Sequence, residues 1–166
     1  MFALLDENNA VTKVGELATL FPDTSNPNHA FAIEQGAFEV VEGEQKDQRF
    51  YWVTFSHYEV ADGVVTRTYT NTPKALDDVT NEDASVTKGL KSQWIAQGKV
   101  AANSLLAATD WLVIRKAERD VAIPSDVVTA RAKIIADCTA KEAAITAATT
   151  MEEFMEVVAP VNTGTP

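Results

Sequence analysis

One cysteine in 166 residues excludes an internal disulfide framework. Two histidines, His29 and His57, belong to no His-x-x-x-His or Cys-x-x-Cys arrangement, so neither zinc nor non-haem iron is expected and no cofactor is implied. No G-x-G-x-x-G, phosphate-binding loop or G-x-S-x-G occurs, which removes the main nucleotide and serine-hydrolase readings. No apolar run approaches the roughly 20 residues that span a bilayer, and the N-terminus lacks a basic stretch followed by an apolar one. A soluble protein made in a cytoplasm, with no membrane partner, is the expectation. Basic residues are scarce: 14 Lys and Arg stand against 24 Asp and Glu, a net charge of −10. Such a chain lacks the basic footprint that nucleic-acid phosphates require.

The acidic excess is uneven. Residues 1–83 hold 15 of the acids and 5 of the bases, whereas residues 84–166 hold 9 of each. The acidic half reads either as a face for a basic partner or as a solvated surface. Asp77, Asp78, Glu82 and Asp83 lack the alternation and central glycine of a calcium loop. Acid pairs such as Glu42 and Glu44 would serve a glycosidase only across a cleft, for which a small sheet has little room. Enzyme activity is not expected.

The first half has β character. Phe2–Leu5 and Val11–Val14 flank Asp6-Glu7-Asn8-Asn9 and predict a hairpin. Leu17, Leu20 and Phe21 precede a polar loop with Pro22 and Pro27, in which His29 is placed. Phe38–Val41 is a short strand, and Phe50–Phe55 carries the strongest strand signal. Tyr58–Val60 and Val64–Thr70 around Asp62-Gly63 predict a second hairpin, because glycine accepts the positive φ that the turn needs. These segments make a small antiparallel sheet of about four or five strands, with His57 at a strand end. Residues 1–73 form the expected β-rich domain, and residues 74–83 an acidic hinge.

Residues 84–160 read as a helical region. Val86, Leu90, Trp94, Ala101, Leu105 and Ala108 form one stripe, with Ile95, Ala102 and Leu106 beside it. Gly89 and Gly98 interrupt that stripe, each at a cost of about 1 kcal/mol, and are expected to bend or break the helix. Thr109 or Asp110 is then expected to cap a short helix whose face is Trp111, Ile114, Ala117 and Val121. Pro124, Ser125 and Asp126 open a long helix to Ala148, with Val127, Ile134, Cys138 and Ile145 on one face. Cys138 is expected to be a buried structural thiol. Lys133, Asp137 and Lys141 make opposite-charge neighbours four apart. Thr150 and Glu153 form a capping-box pair before a last helix, Met151–Val158. The polar tail, residues 161–166, is expected to be loose unless a partner holds it. The fold class is therefore α+β: a small antiparallel sheet followed by an Ala-rich helical hairpin or bundle.

What remains for function is surface. Phe50, Tyr51, Trp52, Phe55 and Tyr58 crowd one segment, and alternation sends only about half of them inward. Tyr51, Trp52 and Tyr58 are therefore candidate interface residues. Leu105, Trp111, Ile114 and Ile134 are the candidate packing and interface residues of the helical module. An Ala-rich stripe buries little apolar area, so the helices pack either onto copies of themselves or onto the chain's own sheet.

Several of these motifs carry a resemblance. Leu105-Leu106-Ala107-Ala108-Thr109-Asp110-Trp111 resembles the L-L-A-x-[ST]-D-W element of small tailed-bacteriophage tail proteins, the fibre-associated proteins and tail assembly chaperones. Ile114-Arg115-Lys116-Ala117-Glu118, Ile123-Pro124 and Arg131-Ala132 are similar to the cyanophage-like version. The opening Met1–Leu5, the Leu17-x-x-Leu20-Phe21-Pro22 stretch and the Asp62-Gly63 hairpin resemble the N-terminal part of that group. The resemblance implies a non-enzymatic tail component located in the virion and made in the host cytoplasm. Its partners would be other tail or fibre proteins and copies of itself, with trimers favoured. The alternative is an assembly chaperone absent from the finished particle. Where that group continues with a Tyr-Arg pair and an L-R-D-[IV]-P ending, this chain continues as the long helix through Thr129–Ile135. That departure speaks against a simple chaperone and favours a long helix with a scaffolding or assembly role.

Overall fold

The computed structural model describes residues 1–159; the polar tail, whose looseness was expected, lies outside them. The fold is α+β, and the chain divides into two compact units, residues 1–72 and the residues from Pro73 onward.

The first unit is built on a five-stranded sheet. Strands β1 (Phe2–Leu5) and β2 (Val11–Gly15) form the expected hairpin, with a register shift between Leu4 and Leu5. Asp6 holds the turn, its carboxylate accepting from the N–H groups of Asn8 and Ala10, both at 2.8 Å. Two short helices that were not expected stand on either side of the polar loop: α1 (Leu17–Leu20) before it and α2 (His29–Glu34) after it. Asn28 caps α2 through its side-chain oxygen, which accepts from Phe31 N at 2.9 Å. His29 is thus the first residue of a helix, edge-on to Phe2 at a ring separation of 5.4 Å. Phe2, Leu20, Ala32 and Ala37 are buried together, with Leu4, Leu17 and Phe21 packed against them.

Strand β3 (Phe38–Glu42) pairs with β1, and then come β4 (Tyr51–Ala61) and β5 (Val64–Pro73). β4 is continuous through Ser56 and His57, where two separate strands were expected. His57 therefore sits mid-strand, its Nδ1 3.2 Å from Thr68 Oγ1, while Thr68 donates to the His57 carbonyl at 2.8 Å. Asp62 and Gly63 have φ of 50° and 76°, as a two-residue type I′ turn requires. The strand order is β2-β1-β3-β5-β4. β5 enters between β3 and β4, and β3 pairs with it in parallel, Val40 opposite Val65 and Glu42 opposite Arg67. The sheet is consequently mixed, which corrects the antiparallel expectation. The hairpin cue defines β4 and β5 as neighbours but does not say which arm docks on β3.

The second unit opens with a small ribbon. β6 (Val79–Thr80) and β7 (Val86–Thr87) pair antiparallel, so the stretch expected as hinge and helix start is a hairpin. Helix α3 (Leu90–Arg119) begins only after it. Its first N–H groups have no intrahelical partners, and here backbone carbonyls supply them: Leu90 N donates to Ala75 O at 2.9 Å and Lys91 N to Leu76 O at 3.0 Å. Gly89 is the residue before the helix, not a break in it. A Cβ there would fall 2.3 Å from Asp77 O and 2.5 Å from Leu76 O, so the close approach demands glycine. Asp78 locks the same corner, accepting from Lys88 Nζ at 2.7 Å and Gly89 N at 2.9 Å.

α3 runs 30 residues without interruption, through Gly98 and through Thr109-Asp110. One glycine costs about 1 kcal/mol, less than the helix loses by ending in an Ala-rich stretch with no proline. Asp120, at φ 51°, ends it. Pro124 then precedes α4 (Ser125–Ala147), with no side-chain cap from Ser125 or Asp126. Val127, Ile134, Cys138 and Ile145 share the less exposed face of α4, as expected. Lys133 Nζ lies 2.7 Å from Asp137. Helix α5 (Met151–Val158) carries the expected capping box. The Glu153 carboxylate accepts from Thr149 N at 2.7 Å, Thr149 Oγ1 at 2.9 Å and Thr150 N at 3.3 Å. These bonds, the Thr149 N–H first, hold its pKa below the usual glutamate value.

Candidate interaction surface

The two long helices form an antiparallel hairpin stitched by polar contacts. Lys99 Nζ pairs with Glu142 at 2.9 Å. Towards the other end, Arg131 of α4 reaches across to α3. Its Nη1 donates to Leu106 O at 2.8 Å and to Thr109 Oγ1 at 2.6 Å, and its Nη2 lies 2.9 Å from Asp110 Oδ1. Thr109 and Asp110, expected to cap a helix, are instead a bracket for a guanidinium. Ser, Thr and Asp favour caps but do not enforce them, and here a long-range partner satisfies their side chains inside the helix.

The bracket fixes which way α3 faces. Ala102, Leu106, Thr109 and Leu112 are the less exposed positions, and of these only Leu112 is buried. Val100, Leu105, Trp111 and Ile114 are between 56 and 65 % exposed. This corrects the expectation that Leu105, Trp111 and Ile114 pack the interior of the module. The inward stripe is the one beside the expected stripe. Ile134 is half-buried on the hairpin's inner side, in line with its packing role. The signal that could have identified the inward face was present in Leu106, Thr109 and Leu112, spaced three apart. It was obscured because the opposite face carries apolar residues as well.

Beside Leu105 the two helices leave an apolar groove of about 250 Å³, lined among others by Trp94, Gly98, Leu105, Ile134, Cys138 and Ile145. Cys138 is a free thiol, half-buried at the groove wall and not enclosed. A Cβ at Gly98 would meet nothing within 4 Å. Val128 and Ile135, on α4, are further exposed apolar residues that the sequence reading did not single out. The Arg115 guanidinium stacks over the Trp111 ring, 4.9 Å from its centroid.

In the sheet unit, Tyr51 is 5 % exposed and belongs to the interior with Phe50 and Val65, so it leaves the set of surface candidates. Trp52 is 63 % exposed and Phe55 is also exposed. Tyr58 is half-buried, its ring 5.0 Å from Phe55. Arg67 lies between the Phe55 and Tyr69 rings, at 5.4 and 5.5 Å, and 3.5 Å from Glu42. The Tyr69 hydroxyl donates to Glu42, which raises its pKa above the usual tyrosine value. Glu42 is thus tied into this stack, on the strand that adjoins β5.

Among the described residues no cluster of three His, Cys, Asp or Glu side chains could hold a metal ion, and no helix is long and apolar enough to cross a membrane. No family model matches the chain, and no curated protein or solved structure matches it.

Proposed function

We propose that this protein is a non-enzymatic bacteriophage tail component, associated with fibres or baseplate, that works by binding other proteins and copies of itself. The observation that carries the reading is the α3–α4 hairpin. Across two helices of 30 and 23 residues, only Leu90, Leu112 and Ile145 are buried. Val100, Leu105, Trp111 and Ile114 face solvent instead. Large apolar residues concentrated on an exposed helical arm are what a protein-binding surface supplies. The resemblance of Leu105–Trp111 to the phage element supports tail or fibre proteins as the class of partner. In this reading Thr109 and Asp110 shape the arm, and Trp111 is presented from it.

The test is quantitative mass spectrometry of purified particles from the source virus. Copies in a fixed ratio to known tail proteins, in multiples of three or six, support the structural role. Expression in infected cells with absence from particles overturns it in favour of an assembly chaperone.

A further inference from the structure

α3 has two faces with apolar residues, and the hairpin uses one of them. Ala102, Thr109 and Leu112 turn towards α4. Val100, Ser104, Ala107, Trp111 and Ile114 lie on the opposite side, and all five are exposed. Their spacing alternates between four and three residues. That is the 3.5-residue period by which one helix meets another along a single seam. Gln97 and Glu118 continue the spacing at either end with polar residues, so the apolar stretch is bounded.

We propose that this seam docks a second copy of the chain, α3 against α3 in parallel. The inference rests on the reading of the protein as a binding component and deepens it by naming the face and the partner.

Charge placement sets the direction. Asp110 flanks the seam on one side, and Arg115, five positions later, flanks it on the other. In a parallel pair a flanking residue of one helix faces the residue five positions on in its partner, so both copies form Asp110–Arg115 pairs at once. In an antiparallel pair equivalent flanks meet. Asp110 would then face the side carrying Asn103 and Ala117, and Arg115 the side carrying Ala101 and Ala108, with no charge to meet either. Both groups are placed to be used. Asp110 is bound to Arg131 through Oδ1 and its side chain remains 55 % exposed. Arg115 covers Trp111, and its Nε is buried without an acceptor. A stacked Trp–Arg pair towards the Ile114 end of the strip has the composition of an interface anchor. α4 lies on the far side of α3 and leaves the seam open.

The experiment is sedimentation equilibrium of the full chain across the micromolar range. The wild type associates reversibly, and Ile114→Glu weakens association at least tenfold with unchanged helical circular dichroism, since the side chain is exposed. Orientation is read from Ser104→Cys in a Cys138→Ala background, oxidised by oxygen with copper phenanthroline. Parallel seams set the two thiols side by side, and the cross-linked dimer forms. A monomeric wild type, association indifferent to Ile114→Glu, or an oligomer that Ser104→Cys does not cross-link each overturns the seam. A monomer present in particles at fixed copy number would sink the seam and leave the tail role standing. A seam-dependent oligomer absent from particles would do the reverse.

Discussion

The two ends of the helical unit are built by different rules. At the base, where α3 starts, α4 ends and α5 follows, Leu90, Ile145, Ala148, Met151, Phe154 and Val158 are all buried. Trp94 meets Phe154 edge-on, with ring centroids 6.3 Å apart. Along the outer arm, from Val100 to Lys141, only Leu112 is buried; Arg131 brackets the two helices through Thr109, and the Lys99–Glu142 pair stands at the foot of the arm. The base has an interior of its own; the arm has large apolar residues directed away from one. Large apolar residues therefore do two jobs, cohesion at the base and presentation along the arm.

That contrast can be broken most sharply at Phe154, which is fully buried. Phe154→Ala is expected to cost about 3–5 kcal/mol, as truncation of a buried aromatic does. The readout is the urea midpoint of unfolding, and a cost below about 1 kcal/mol would mean that the base is not the core of the unit. Next in size is Gly89→Ala. The added Cβ meets backbone that cannot swing aside, and the expected loss is about 1–3 kcal/mol, visible as a lowered melting temperature. An unchanged melting temperature would show that the helix start can shift.

The same corner predicts a pH effect. The Asp78 carboxyl is held down to about 2 from an ordinary 3.8, chiefly by the bond from Lys88, then by Ser92 and the Gly89 N–H. A depressed folded-state pKa contributes stability above the ordinary value, and that stability is lost as pH falls through the folded value. The loss therefore falls between about pH 4 and pH 2. Melting curves of the wild type and Asp78→Asn should converge across that window. Curves that stay parallel would remove Asp78 from the account.

The smallest expected effect tests the arm. In the dissociated chain Trp111→Ala should change stability by no more than about 1 kcal/mol, the scale of an exposed ring carrying a stacked arginine. A loss of about 3 kcal/mol or more would place the ring inside a core and erase the distinction between base and arm.

Much of the fold was legible where the cause is local. Asp62-Gly63 specified its turn because few other residues accept two successive positive φ angles. Thr150 and Glu153 specified the start of α5, and Pro124 separated α3 from α4. The inner face of α4 was legible because its opposite side is mostly small or polar. Less visible was α2, whose Asn28 cap was absorbed into a loop rich in proline and asparagine. The candidate surface was half-legible. Leu105, Trp111 and Ile114 were singled out, but the direction they face could not be read from a helix that is apolar on both sides.

The sequence by itself determined where the Asp62-Gly63 turn falls, which long stretches take a period of two or of about 3.6, and that Thr150 and Glu153 cap α5. Those outcomes depend on dihedral preferences and hydrogen bonds within about four residues. Tertiary structure alone decided that β5 lies parallel to β3, that Thr109 and Asp110 clasp Arg131, and that Trp111 points outward. Each of those depends on a partner more than 20 residues away, and local propensity carries no information about which partner arrives.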